Sequence, residues 1–128
     1  MAALYLSRTY DEAFDLLIEA RGLAEREYRR RHSKNFEDRM IQIRESMRLT
    51  SRLAQIVAWL LAQKAYQAGE LSSTDIAAQE YRLAGEKICL DWRAAHETPL
   101  PPSLMSLLRR SYELYCRVRR LDQQFVEN

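Results

Sequence analysis

The chain has 128 residues, 47% of them apolar and 30% charged, with three glycines and three prolines. So few turn residues argue against sandwiches and barrels, whose many short strands are joined by Gly- and Pro-rich turns. Twenty basic against 18 acidic side chains leave a net charge of +2, short of the strongly basic balance of a dedicated nucleic-acid domain. The length suits one domain spanning 1–128. The longest unbroken apolar run, Ile56 to Ala62, has seven residues, whereas a bilayer span needs about 18. The opening Met1-Ala2-Ala3-Leu4-Tyr5-Leu6 has no basic leader, so a cytoplasmic protein without a membrane partner is expected. Cys89 and Cys116 stand outside any C-x-x-C pattern and read as reduced core thiols.

The spacing predicts a first helix over about 9–31. Thr9-Tyr10-Asp11-Glu12 offers a capping box, and apolar residues recur at Tyr10, Phe14, Leu17/Ile18 and Ala24. A second helix is expected over about 36–68, capped by Asn35 and ended by Gly69 in a left-handed conformation. Along it Met40, Ile43, Met47, Thr50, Ala54, Val57, Leu61 and Lys64 form a heptad-like seam, the pattern that packs helices nearly parallel. A shorter third helix is expected over about 73–93, with Ser72 and Asp75 as its capping pair. All three prolines fall within Ala94 to Pro102, and a last helix over 102–125 carries Leu104, Leu107/Leu108, Ser111, Leu114/Tyr115, Val118 and Leu121 on one stripe. The expected fold is all-α: an antiparallel bundle of three long helices plus one shorter one.

No residue pattern carries catalytic, cofactor or metal chemistry. His32 and His96 lie far apart with neither a His nor a Cys within four positions, and there is neither a nucleophile elbow nor a phosphate loop. Arginine is unusually frequent, 17 against three lysines, and suits planar pairing with carboxylates at interfaces. Arg44, Arg48 and Arg52 stack at i, i+4, i+8, so something acidic should face them: Asp15 or Glu19 of the first helix, a second subunit, or a partner. Gln55, Trp59 and Tyr66 fall away from the Ala54/Val57/Leu61 stripe, which makes the stretch from Leu53 to Tyr66 apolar or aromatic nearly all round. Such a helix is buried on every side. Either the third helix covers that extra face, or it meets a second copy or a partner. Arg48, Arg52, Gln55, Trp59 and Tyr66 are therefore the candidate dimer or partner surface, with the aromatics as anchors. On that reading Trp59→Ala impairs association more than stability.

The string Glu45-Ser46-Met47-Arg48-Leu49-Thr50-Ser51-Arg52-Leu53, then Gln55, Trp59-Leu60-Leu61-Ala62-Gln63-Lys64-Ala65 and Gly69-Glu70, resembles the regulator of CtrA degradation family. Tyr81-Arg82-Leu83 and Leu114-Tyr115-Cys116-Arg117-Val118-Arg119-Arg120-Leu121 extend the likeness over about 45–121. The resemblance implies a dimeric, non-enzymatic helical adaptor for a cytosolic AAA+ protease of the ClpXP type. Its implied partners are a ClpX-type unfoldase with ClpP peptidase, a receiver-domain priming protein, and further adaptors or substrates. Family members often carry a longer polar C-terminal tail, whereas this sequence ends at Asn128. The resemblance assigns no binding residues. Two other readings stay open. One is a small dimeric helical enzyme, like the chorismate mutases, clamping an anionic metabolite with Arg48, Arg52 and Gln55. The other is an Arg-rich nucleic-acid-binding bundle.

Overall fold

The computed structural model describes residues 2–30, 35–91 and 100–127, with side chains described over 5–27, 35–91 and 100–124. His32, His96 and most of the proline-bearing stretch lie outside the described side chains. All regular structure among the described residues is helical: α1 (Ala2–Arg30), α2 (Phe36–Gln67), α3 (Ser73–Ile76), a 3-10 turn (Gln79–Tyr81), α4 (Glu86–Cys89) and α5 (Pro102–Glu127).

The ends of α2 form as their residues dictate. Asn35 Oδ1 accepts from the Asp38 amide at 2.8 Å. At the other end Gly69 takes φ +81°, its amide reaches Tyr66 O and the Glu70 amide reaches Ala65 O. This doubled closure satisfies two carbonyls that the helix leaves open. Ser72 and Asp75 exchange both bonds of a capping box.

Two boundaries differ from expectation. The first helix begins at Ala2, not Thr9, because Thr9 Oγ1 donates back to Tyr5 O at 2.9 Å inside an unbroken helix and Leu6 packs into the core. The third helix over 73–93 does not form as one element. Ala78 and Arg82 are extended, Gly85 sits at φ +81°, and only the short pieces α3 and α4 are helical. Tertiary bonds hold this course. Arg82 reaches Asp122 with two nitrogens at 2.9 Å, and the Tyr115 hydroxyl donates to Ala84 O at 2.7 Å.

Three long helices enclose the core. Gln42 bonds Glu27 and Lys64 lies over the Tyr10 ring, so α1 and α2 run antiparallel. Arg110 pairs with Glu19 and Arg117 with Glu12, which makes α1 antiparallel to α5 as well. Between them lie Leu16, Leu53, Ile56, Leu60, Leu107, Leu114 and Val118, each buried. The α5 stripe from Leu104 to Val118 points inward as its spacing predicts. The α3–α4 segment packs along α2 and adds Ile76, Leu83 and Cys89 to the buried set.

Candidate functional site

The orientation of α2 decides the site, and it is the reverse of the expected one. The face turned inward carries Glu45, Leu49, Arg52, Leu53, Ile56, Trp59, Leu60 and Gln63. The heptad-like seam faces out: Met40, Ile43, Met47 and Leu61 are 48%, 52%, 65% and 50% exposed. Two of the five candidate surface residues are thus internal to the single chain. Arg52 is fully buried and Trp59 is 5% exposed. The physical reason is that each finds its polar partners inside. Trp59 Nε1 donates to Asp122 Oδ1 at 2.9 Å, joining the carboxylate that also holds Arg82. Arg52 donates to the carbonyls of Cys89 (2.7 Å), Leu108 (3.0 Å) and Asp91 (3.1 Å) and lies over the Tyr112 ring. Burial pushes its basicity down, and the neighbouring Arg48 charge adds to that. Every buried side-chain nitrogen and oxygen among the described residues has a partner.

The other three candidates are partly covered. Gln55 lies against Gly85, where an added Cβ would stand 3.5 Å from Gln55 Cγ and 3.3 Å from Cys89 Sγ. Tyr66 is half-buried near the end of α2. Arg48 has only 11% of its side chain exposed; it donates to Glu45 at 3.0 Å and to Ile88 O at 2.6 Å, with Asp91 3.6 Å away. The acid that faces the arginine row is therefore Glu45 of the same helix, paired with both Arg44 and Arg48. Glu19 is engaged by Arg110 instead, whose hydrogen bond holds its carboxyl below the usual range.

Arg48 and Arg52 together tie the carbonyls at the end of α4 to the side of α2. The tie leaves a surface groove of about 410 Å3 between the two, lined by Met40, Ile43, Arg44, Met47, Arg48, Ser51, Lys87, Ile88 and Asp91. Ile88 is 52% exposed there. The sequence signal for this groove is the Met40–Ile43–Met47 spacing, a helix-packing pattern that here faces outward; for Ile88 the signal is its place in the expected third helix. Arg52 and Gln55 do not line it, so the three-residue anion clamp of the metabolite-enzyme reading is not assembled. Arg110, Arg117 and Arg119 of α5 each meet a carboxylate of another element. Three of the five α5 arginines are thus paired with acids of the same chain. Among the described residues no group of three His, Cys, Asp or Glu is placed to hold a metal, and no helix is long and apolar enough to cross a membrane. Burial raises the Cys89 thiol and the Tyr115 phenol, which keeps both groups protonated.

Among the described residues, then, a helical bundle satisfies its buried polar side chains internally and carries a largely apolar groove between α2 and α4 on its surface. Residues 1–128 match the family described as "Protein of unknown function (DUF1465)", and the chain belongs to that family. Its fold is similar to the crystal structure of RcdA, the regulator of CtrA degradation, from Caulobacter crescentus CB15. The TM-score is 0.77 at 31% identity, covering 96% of this chain and 92% of that one. No match was found among curated proteins.

Proposed function

We propose that this protein is a non-enzymatic adaptor in regulated proteolysis, working in the cytoplasm as a homodimer. In this reading it helps bring cell-cycle regulatory substrates to a ClpX-type unfoldase with its ClpP peptidase, alongside a receiver-domain priming protein and other adaptors. The observation that carries it is the likeness to RcdA over nearly the whole of both chains. The α2–α4 groove supports it by supplying an accessible apolar surface of the kind that protein contacts use. Partner contact is assigned to Met40, Ile43, Met47 and Ile88 with Arg48 at the edge, while Arg52 holds the α4 wall in place from inside and Trp59 is bonded to Asp122 of α5 instead. Gln55 and Tyr66 remain candidates for the dimer contact. The test is reconstituted proteolysis with unfoldase, peptidase, priming protein and candidate substrates, with and without this chain. Faster degradation of at least one substrate is expected. Unchanged rates for all of them refute the adaptor reading.

A further inference from the structure

We propose that the α2–α4 groove receives a short amphipathic helix from a partner protein, with apolar residues at i, i+3 or i+4, and i+7, and carboxylates on the flank beside Lys87. This deepens the adaptor reading and rests on it for taking the partner to be a protein. Met40, Ile43 and Met47 share one face of α2, and the first and last stand seven positions apart, roughly 10 Å of helix at 1.5 Å per residue. Two turns of an incoming helix match that length. The groove volume of about 410 Å3 is concave enough to take side chains as knobs, which a flat lipid surface does not offer. Two of its walls are methionines, whose unbranched side chains adapt to differing apolar partners. The floor is fixed by the bonds from Arg48 to Ile88 O and from Arg52 to Cys89 O, so little ordering cost falls on binding.

Charge selects the occupant. Three cations, Arg44, Arg48 and Lys87, line the groove against one carboxylate, Asp91. Arg48 is already committed to Glu45 and Ile88 O, and Arg44 keeps 46% of its side chain exposed beside Glu45. Lys87 is exposed and makes no ion pair among the described residues. A second copy docking symmetrically about Ile43–Met47 would set Arg44 against its own equivalent, a like-charge contact. An acidic flank on an incoming helix answers the exposed Lys87 with opposite charge.

The probe is a fluorescein-labelled peptide of four helical turns with leucines on one face and glutamates flanking them, titrated into the full chain. One saturable site is expected. Met47→Glu and Ile43→Glu should each weaken it by at least about tenfold, both positions being exposed enough to leave folding intact. Lys87→Glu should weaken the glutamate peptide about fivefold and improve binding of its lysine-flanked counterpart. A scrambled peptide that spreads its leucines round the helix should not bind. Equal binding by Met47→Glu, equal binding of both flanking charges, or no binding at all overturns the proposal. So does a loss of self-association in Met47→Glu with peptide binding unchanged, which would give the strip to a second copy. Running the same variants in the degradation assay separates the two readings. If peptide binds through the groove while wild type leaves every degradation rate unchanged, the groove stands and the adaptor falls. If Met47→Glu stimulates degradation as wild type does and neither binds peptide, the adaptor stands and the groove falls.

Discussion

One face of α2 holds a fully buried arginine, an indole N–H and a buried glutamate, while the other holds two methionines, an isoleucine and a leucine about half exposed or more. By hydropathy alone their positions should be exchanged. The polar-bearing face goes inside because its hydrogen-bonding needs are met there: Arg52 by the last carbonyls of α4 and by Leu108 O, Trp59 by Asp122, Glu45 by two arginines. The apolar face stays outside because α1 and α5 are already occupied with Leu53, Ile56 and Leu60. Burial in this bundle follows satisfied geometry as much as greasiness.

The sharpest way to break that contrast is to truncate the inward aromatic. Trp59→Ala should cost about 3–5 kcal/mol, the usual loss for emptying a buried large aromatic site, in urea unfolding at neutral pH. Trp59→Phe, which mainly deletes the bond to Asp122, should cost about 1–2 kcal/mol. A loss below about 1 kcal/mol for the alanine variant would return Trp59 to the surface and undo the inversion.

Next comes Arg52→Met, expected at about 3 kcal/mol because three carbonyls lose their donor at once. Hydrogen exchange should show the 86–91 segment opening first. Arg52→Lys should recover little, since an ammonium cannot fill a planar fork of bonds.

On the outer face the same chemistry should hardly register. Met47→Glu and Ile43→Glu are expected to stay within about 0.5 kcal/mol of wild type in the same unfolding experiment. A large loss there would mean that the seam packs inward after all.

The smallest effect concerns the rim between α1 and α5. Glu19 has its carboxyl depressed, chiefly by the Arg110 hydrogen bond. A depressed folded-state value adds stability above the unfolded value of 4.5, and that stability is lost as pH falls through the folded-state value below it. Its side chain is 45% exposed, so solvent screens the pair and the gain is small. The melting temperatures of wild type and Glu19→Gln should therefore differ slightly at neutral pH and converge in acid. A gap that persists unchanged into strong acid would remove the pair from the stability of this rim.

Local signals read well wherever the answer lay within a few residues. Asn35, Gly69 and the Ser72–Asp75 box end or start their elements as their side chains dictate, and the α5 stripe faces the core. Thr9 misled because a hydroxyl that can cap a helix can equally bond back four residues inside one. The segment 73–93 misled because its apolar spacing is compatible with a helix, while the bonds that bend it, Arg82 to Asp122 and Tyr115 to Ala84, come from 40 and 31 residues away. For the site, the surplus apolar circumference of α2 was legible, but its direction was not. Of the five residues singled out, Arg48 alone lines the groove, and Lys87 and Ile88 carried no mark of their own.

The amino-acid order by itself determined an all-helical chain, the span and caps of its longest helix, the inward stripe of α5, and a longest helix with more apolar surface than its neighbours hide. Periodicity and caps are short-range properties, so the order of residues contains them. Only the tertiary structure decided which side of α2 faces water, because that depends on carbonyls and a carboxylate brought in by α4 and α5 from 37 to 63 residues away. Once Arg52 and Trp59 had claimed those groups, the methionine strip was left to form the outer wall of the groove.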